Sequence, residues 1–583
     1  MDRSLSQSDS GFTFGSLRLE PDGTLFRGDE AIHLAPKELA ALRVLLKHRG
    51  HIVTPAQLKE TLWPDVHVTA DSVPRCVSSL RSRLGAEALI RTIYKRGYRF
   101  ESPVHRVHLM ELGALPRLAI MPFAGGINVP EFLGAAIAED AGTHLLTFHP
   151  ATVRVLPRDS VWALAAAGIS ARELGQKLAA DLVLTGVVQA SILLLRVRAE
   201  MIRAADGSQV WVEEVMGPRE HCAAIEQRLF ERISCRLGGQ LPVSISASAS
   251  ETRDQSSSTH EALLLARHDG RSRDPLRMSS AVDLLLKACG VPGWDPTARE
   301  QIVKITLSQC LYGYISPAVA AEQVRRASDA HPQLDQSSAA LLPVLGWILF
   351  HVEHNLGFAL HMIQDTDVAG PGTWPTTLRV MLALSRHRFG EARALLEETL
   401  RDDSWSPTFN VLLAWTHHLS GNSAESLDLA QRCLDLFPHD ERAELCAALI
   451  LAFNSHPERA ASLAHAVARR LPSLDVAAAI EAYALARFGK TDEAGALLER
   501  LQWTGHERYM QSSFTAAAFA AMGDEDAAIA ELRTAEKARC PWFFQTLADP
   551  RLNSLHHHPE FKRMQAILQT MEASVIPESE CVV

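Results

Sequence analysis

The sequence predicts a multidomain protein: a small α+β domain, then a small α/β domain, then a long all-α array. Three observations predict it. Within the first hundred residues the apolar spacing changes from alternation to a helical period and back. Between residues 115 and 240, strand-like and helix-like stretches are interspersed. From His387 onward, small residues recur every thirty-four positions. A chain of 583 residues has room for several cores, and scarce aromatics (6%) beside abundant Ala and Leu favour helix.

The first domain is read over 12–104, after a short disordered N-terminus, 1–11. Phe12, Phe14, Leu17 and Leu19 alternate, Pro21-Asp22-Gly23 turns the chain, and Leu25-Phe26 and Ile32 to Leu34 continue a small antiparallel sheet. Leu39, Leu42, Leu45 and Leu46 then share one side of a helix that follows Pro36 and stops at Gly50. Thr54-Pro55-Ala56-Gln57 opens a second helix with a capping box and Pro at the first helical position, running to about Trp63. A third helix is expected over 70–84, ended by Gly85. Val73, Val77, Leu80 and Leu84 fall on one face of it; Arg75 and Ser82 lie nearly opposite, with Ser78, Ser79, Arg81 and Arg83 around them. Small hydroxyls let such a face approach a major groove, and Arg can bond guanine edges or phosphates. Two short strands, Ile90 to Tyr94 and Tyr98 to Phe100, flank a basic tip, Lys95-Arg96, with Gly97 at the turn.

LAPKELAALRVLLKHRG, TPAQLKETLWPDV, SVPRCVSSLRSRLG and RTIYKRGYRF, in this order and spacing, resemble the OmpR/PhoB-type winged helix-turn-helix domain, over about 12–102. The resemblance implies a recognition helix at 70–84 reading the major groove through Arg75, Ser78, Ser79, Ser82, Arg81 and Arg83. It implies a wing, Lys95 and Arg96, in the minor groove, and phosphate contacts at Trp63, Arg91 and Thr92. Pro74 departs from the pattern and is tolerable only in the first helical turn. Arg75 and the serines are this chain's own, so the target sequence is not carried over. The resemblance also implies double-stranded promoter DNA as partner, direct-repeat sites and homodimeric binding.

Charge agrees with a local footprint. Residues 35–101 hold twelve Lys/Arg and six Asp/Glu, so the rest of the chain carries −16 of a net −10. About eleven residues precede the first strand, which leaves no phosphoacceptor receiver in this sequence. No apolar run approaches the ~20 residues that cross a bilayer. No signal peptide is read, and nine scattered cysteines without a CxxC pair suit a reducing, cytoplasmic setting.

A second domain is read over 115–240. Arg117 to Phe123, Val153 to Leu156, Leu182–Ala190, Leu194–Ile202 and Val210–Val215 are expected strands. Helices are expected over Phe132 to Phe148, after a Ser170 cap, and near Glu220–Leu237. "LAIMPF", "LAADLVLTGVV" and "RAADGSQVWVEE" are similar to a TolB-N-terminal-like domain. Gly125-Gly126 is read as a turn; no nucleotide site is assigned without a complete phosphate-loop pattern.

A Ser-rich linker is read over 241–260, helical repeats over 261–570, and a tail over 571–583. His387, Gly421, Ser455, Gly489 and Gly523 are thirty-four apart; so are Ala392, Ser426, Ala460, Ala494 and Ala528, and Val380, Ala414, Ala448, Ala482 and Ala516. Pro438 and Pro472 share the period, and Ala281, Ala320 and Ala359 extend it at thirty-nine. Small residues where helices cross, with Pro after the second helix, make the tetratricopeptide pattern, in seven or eight helix pairs over 260–540. Such an array binds peptide or protein ligands or serves as a spacer. The whole layout resembles soluble HilA-like regulators and implies a sequence-specific transcription activator with RNA polymerase as a candidate partner. The alternative is a scaffold whose winged helix contacts protein. No catalytic set, cofactor or metal site is assigned. His351 with His354 is not read as a metal site, the run His556 to His558 is read as a solvated loop before Pro559, and Cys76 beside the DNA face as a structural thiol.

Overall fold

The computed structural model describes residues 11–14, 17–19, 24–27, 30–48, 52–63, 69, 71–85, 90–93, 96–101, 105–107, 115–126, 129–149, 152–237, 257–288, 295–329, 342–364 and 373–574. The chain falls into two compact units, 1–114 and 115–583.

In the first unit, β1 (Gly11–Phe14), β2 (Leu17–Leu19), β3 (Leu25–Arg27) and β4 (Glu30–Ile32) form an antiparallel meander. α1 (Pro36–Lys47) follows, then β5 (Ile52–Val53), α2 (Pro55–Leu62), α3 (Ser72–Leu84), β6 (Ile90–Ile93) and β7 (Gly97–Phe100). The sequence reading ends this domain at 104. Instead β8 (His105–Val107) returns to pair with β1, Thr13 opposite His105, and closes a five-stranded sheet. Leu42, Leu45, Leu58, Leu80 and Leu84 are fully buried between the helices and the strands. The capping box at Thr54 is present: its hydroxyl accepts from Gln57 N–H at 3.2 Å, and Gln57 Oε1 accepts from Thr54 N–H at 2.8 Å. α3 begins at Ser72, two residues later than expected, which leaves Pro74 in the first turn where no intrahelical N–H is lost. Gly50 lies outside the described residues.

The second unit opens with a mixed sheet, β9 (Arg117–Ile120), β10 (Ala124–Gly125), β11 (Arg154–Val155), β12 (Leu182–Ala190), β13 (Leu194–Arg203) and β14 (Gln209–Pro218). Its order is β11-β9-β12-β13-β14, parallel on the β9 side and antiparallel from β12 onward, with β10 beside β12. α4 (Glu131–Phe148), α5 (Arg158–Ala166), α6 (Ala171–Lys177) and α7 (Cys222–Arg236) complete this part. Ser170 caps α6 as expected, again with a capping box. α5 was not expected, because Pro157 and one turn of alternating residues hide its period.

Eight helix pairs follow among the described residues. They are Ser257–Asp269 with Pro275–Ala288, Asp295–Tyr312 with Pro317–Asp329, Leu342–Glu353 with Leu356–Gln364, and Thr373–Ser385 with Phe389–Asp402. The rest are Pro407–Leu419 with Ser423–Leu436, Glu441–Phe453 with Pro457–Arg470, Asp475–Arg487 with Thr491–Glu507, and Ser512–Met522 with Glu525–Lys537. The first helix starts at Ser257, inside the stretch read as linker. The thirty-four-residue series have a structural cause each. His387, Gly421, Ser455, Gly489 and Gly523 all sit in the turn within a pair at positive φ, from 57° to 83°. Ala392, Ser426, Ala460, Ala494 and Ala528 are fully buried, as are Ala281, Ala320 and Ala359. His556 and His557, read as loop, lie in the 3-10 helix Pro550–His557, and the His558 side chain caps Pro559–Ala573 by accepting from Glu560 N–H at 3.2 Å.

Ion pairs join the sheet part of this unit to the helical array. Glu139 on α4 is shared by Arg158, at 2.6 Å, and Arg271. Asp140 takes Arg267 at 2.7 Å, and Ser160 donates to Asp403 at 2.6 Å. Burial opposes ionisation of Glu139, but the charges of Arg271, Arg158 and Arg267 outweigh it and hold the carboxyl down to about 2. Its unfolded value lies near 4.3. The pair therefore stabilises the unit fully above about pH 5 and loses that contribution as pH falls toward 2. Glu139→Gln is expected to lower the urea midpoint of the second unit at pH 7 and to flatten the wild-type decline between about pH 5 and 2. Circular dichroism measures both; parallel wild-type and variant curves would refute the linkage.

Candidate nucleic-acid interface

α3 has two unlike sides. Val73, Val77, Leu80 and Leu84 are at most 4% exposed and enter the core. Pro74, Arg75, Ser78, Ser79, Ser82 and Arg83 are exposed on the other side. Three contacts from distant parts of the chain fix its rotation. Ser79 Oγ donates to Glu38 Oε1, while Glu38 Oε2 accepts from Ala35 N–H at 2.8 Å at the start of α1. Arg81 Nε donates to the Ile90 carbonyl at 2.9 Å, and its Nη2 to Thr92 Oγ1 at 2.9 Å. Arg27 Nη2 donates to the Leu84 carbonyl at 2.9 Å, satisfying the last turn of α3 with a cation at the negative end of the helix dipole.

The sequence reading put Ser79 and Arg81 among the DNA-facing groups. Both also have protein partners, and Thr92 accepts from Arg81. Glu38 and Arg27 were missed, because their partners are 41 and 57 residues away and nothing local distinguishes them from solvated charges. Burial alone would raise the Glu38 pKa; the Ser79 hydrogen bond, the Ala35 N–H and the Arg83 charge bring it below its ordinary value. Arg75, Ser78, Ser82, Arg83 and Arg96 make no side-chain hydrogen bond or ion pair among the described residues. Cys76 is half-buried with its thiol on the Lys37 carbonyl at 3.5 Å, and burial pushes its pKa up, away from a reactive thiolate.

β6 and β7 form the hairpin, Arg91 opposite Arg99 and Thr92 opposite Tyr98. Glu101 takes Arg99 at 2.9 Å and Arg91 at 3.7 Å, so Arg91 keeps much of its side chain in solvent. Arg96 is exposed beyond the pairing; Lys95 lies outside the described residues. Trp63 is half-buried at the end of α2, with Lys37 Nζ 5.7 Å above its ring and also donating to the Leu62 carbonyl. Gly97 has φ +139°, and a Cβ there would sit 2.1 Å from the Val53 carbonyl oxygen, so the hairpin packs onto β5 only with glycine.

Elsewhere, Cys222, Glu226 and His260 are buried together with ligand atoms within 4.8 Å of one another. Glu226 accepts from His260 Nε2 at 2.9 Å and from the Cys222 thiol at 3.5 Å. His351 is buried beside Trp347, where burial and, to a lesser degree, the nearby His354 take its pKa down to about 3; it is a neutral core residue. No described helix is long and apolar enough to cross a membrane.

Residues 29–100 match the family of transcriptional regulatory proteins, C-terminal domain, and the first unit is a winged-helix domain of this OmpR/PhoB type. The transcriptional regulator HilA of Salmonella typhimurium is 37% identical over 100 residues, 17% of this chain and 18% of HilA. The transcriptional regulatory protein CutR of Streptomyces coelicolor is 36% identical over 85 residues, 14% of this chain and 39% of CutR. The alignments thus span well under half of either relative. A tetratricopeptide repeat protein from Parabacteroides merdae is 15% identical, covering 43% of this chain and 92% of its own, with a TM-score of 0.29. The repeat architecture is read from the helix pairs themselves.

Gly97→Ala is expected to destabilise the hairpin by about 2–4 kcal/mol, through the carbonyl clash and the positive φ together. Hydrogen exchange in the full chain checks it: faster exchange confined to the first unit is the expected result, and wild-type protection at Val53 and Tyr98 is the contrary one.

Proposed function

We propose that the chain is a sequence-specific, DNA-binding transcription regulator of the one-component type, with activation as its direction of control. One observation carries the reading: α3 is bolted to the core and the hairpin on one side, while Arg75, Ser78, Ser82 and Arg83 stand exposed on the other, with no side-chain hydrogen bond or ion pair among the described residues. A helix enters a major groove, about 12 Å wide, only if its outer side chains are short or can bond base edges and phosphates. Ser78 and Ser82 supply the first property, and Arg75 and Arg83 the second.

Roles follow from position. We assign Arg75 to a guanine edge, Ser78 and Ser82 to close approach, and Arg83 to phosphate. Ser79 and Arg81 are positioning residues, since each acts through Glu38 or the hairpin. Lys95 and Arg96 form the wing for the minor groove, and Trp63, Arg91 and Thr92 approach the phosphate backbone. Homodimers on repeated half-sites, a cytoplasmic location and contact with RNA polymerase belong to the same proposal. The helical array is the part that takes a signal or a partner.

Genome-wide recovery of DNA by wild type beside two variants tests this. Arg75→Ala is expected to blur sequence preference and to cost about 1–3 kcal/mol at the preferred site. Arg96→Ala is expected to weaken all duplexes alike and to reduce the salt slope by about one. Equal recovery by all three proteins would count decisively against DNA recognition by this face.

A further inference from the structure

The first helices of the pairs share a function that their period does not reveal. Within the second unit they surround a cavity of about 520 Å³, closed on one side by α5 and by the turn after Asp269. Nearly every lining residue from the array lies on, or within a few residues of, the first helix of its pair. This volume is in the range that takes a small organic molecule.

Its lining changes character along the helices. On Glu441–Phe453, Glu441 and Arg442 at the start face the cavity, then Leu445 and Leu449 one and two turns on. On Pro407–Leu419, Thr408 gives way to Val411, Leu412 and Trp415. From Arg442 to Leu449 the helix rises about 10 Å, so the cavity passes from charged to apolar over the length of one small molecule. The lining indoles offer carbon faces. Trp415 Nε1 donates to Gln545 Oε1 at 3.1 Å, Trp542 Nε1 to the Leu311 carbonyl at 3.3 Å, and Trp162 Nε1 to the Ile120 carbonyl at 3.2 Å.

At the charged end Arg158, Arg271, Arg273 and Arg442 retain 27–35% exposure. Three of them pair with an anion that also lines the cavity: Arg158 with Asp159, Arg273 with Glu441 and Arg442 with Asp440. Among the described residues, Arg271 has only its share of Glu139. Glu139 is divided between Arg158 and Arg271. Burial depresses the Arg271 pKa; Glu139 opposes that, but the adjacent Arg158 and Arg267 charges depress it further, which marks a guanidinium short of negative charge. A planar carboxylate is the group that guanidinium forks pair with best.

We propose that this cavity binds a small amphipathic carboxylate, with its apolar body among Trp415, Leu445, Leu449 and Phe514 and its carboxylate on Arg271. The proposal deepens the regulator reading by naming the chemical class of its signal, and its test involves no DNA. A ligand so placed touches α5 and the array at once, and so links the two parts of this unit.

Calorimetry on the full chain with decanoate and, as its uncharged match, 1-decanol tests the site. The expected result is saturable binding of one decanoate per chain, with 1-decanol at least about tenfold weaker, a difference of about 1.4 kcal/mol. Arg271→Gln should bring decanoate down to the 1-decanol level, and Leu412→Trp should weaken both by blocking the apolar end. Hydrogen exchange of the wild type supplies a readout independent of variant folding: decanoate should slow exchange in Pro407–Leu419 and Glu441–Phe453. Four outcomes would overturn the proposal. These are no saturable heat below about 1 mM, equal affinity for the alcohol, protection confined to other helices, or binding of an extended peptide there that decanoate does not displace. Failure of this test leaves DNA binding by the first unit untouched, and loss of DNA binding leaves this site untouched.

Discussion

The rotation of α3 about its own axis is the constraint on which the first unit depends. A turn of one residue, about 100°, would carry Ser79 and Arg83 into the apolar core and Val77 into solvent. Four apolar side chains on one face oppose that turn, and three polar locks oppose the smaller rotations that apolar packing tolerates. The locks differ in kind. Glu38 ties the middle of α3 to the start of α1, Arg81 ties it to the hairpin, and Arg27 closes its last turn. Each holds α3 by its inner side or its end, and Arg75, Ser78 and Ser82 on the opposite face make no side-chain hydrogen bond or ion pair among the described residues.

Much of this was legible locally, because its causes are local. The Thr54 capping box, the stop at Gly85 and the four-residue apolar stripe depend on neighbours within one or two turns, and they fell where the spacing placed them. The thirty-four-residue period was legible for a related reason. It records a steric demand repeated in each pair: a methyl-sized group at the helix crossing and a left-handed residue in the turn. That His387 and Ser455 occupy the left-handed position as glycine does at Gly421 shows that the backbone path, and not the residue type, is what repeats.

The polar locks were not legible, and the reason is equally physical. An Arg that ends in a buried pair and an Arg that ends in water have the same period and flanks. Ser79 looked like Ser78 and Ser82, yet only Ser79 meets a carboxylate, 41 positions earlier in the chain. Arg271 and Glu139, 132 positions apart, read from the sequence as two solvated charges. The returning strand His105–Val107 pairs with a partner far along the chain and is too short to show alternation of its own.

The cavity follows from the same economy of size that produced the period. When Ala and Ser occupy the crossings, adjacent helices come close, and the large residues are left for the other faces. On the first helices that face turns inward, so Trp415 and Phe514 gather around a common space. Trp415 is then held from behind, with the Arg551 guanidinium 5.6 Å from its ring, His418 stacked at 5.0 Å, and Asp549 bridging the two. This is a rigid wall, since a buried, hydrogen-bonded ion pair tolerates little displacement. Across the space, Arg271 and Arg158 share one carboxylate. An array that served only as a spacer has no need of a fixed aromatic wall opposite a guanidinium, Arg271, that holds only a share of one carboxylate; a receptor for the amphipathic anion proposed above has a use for both.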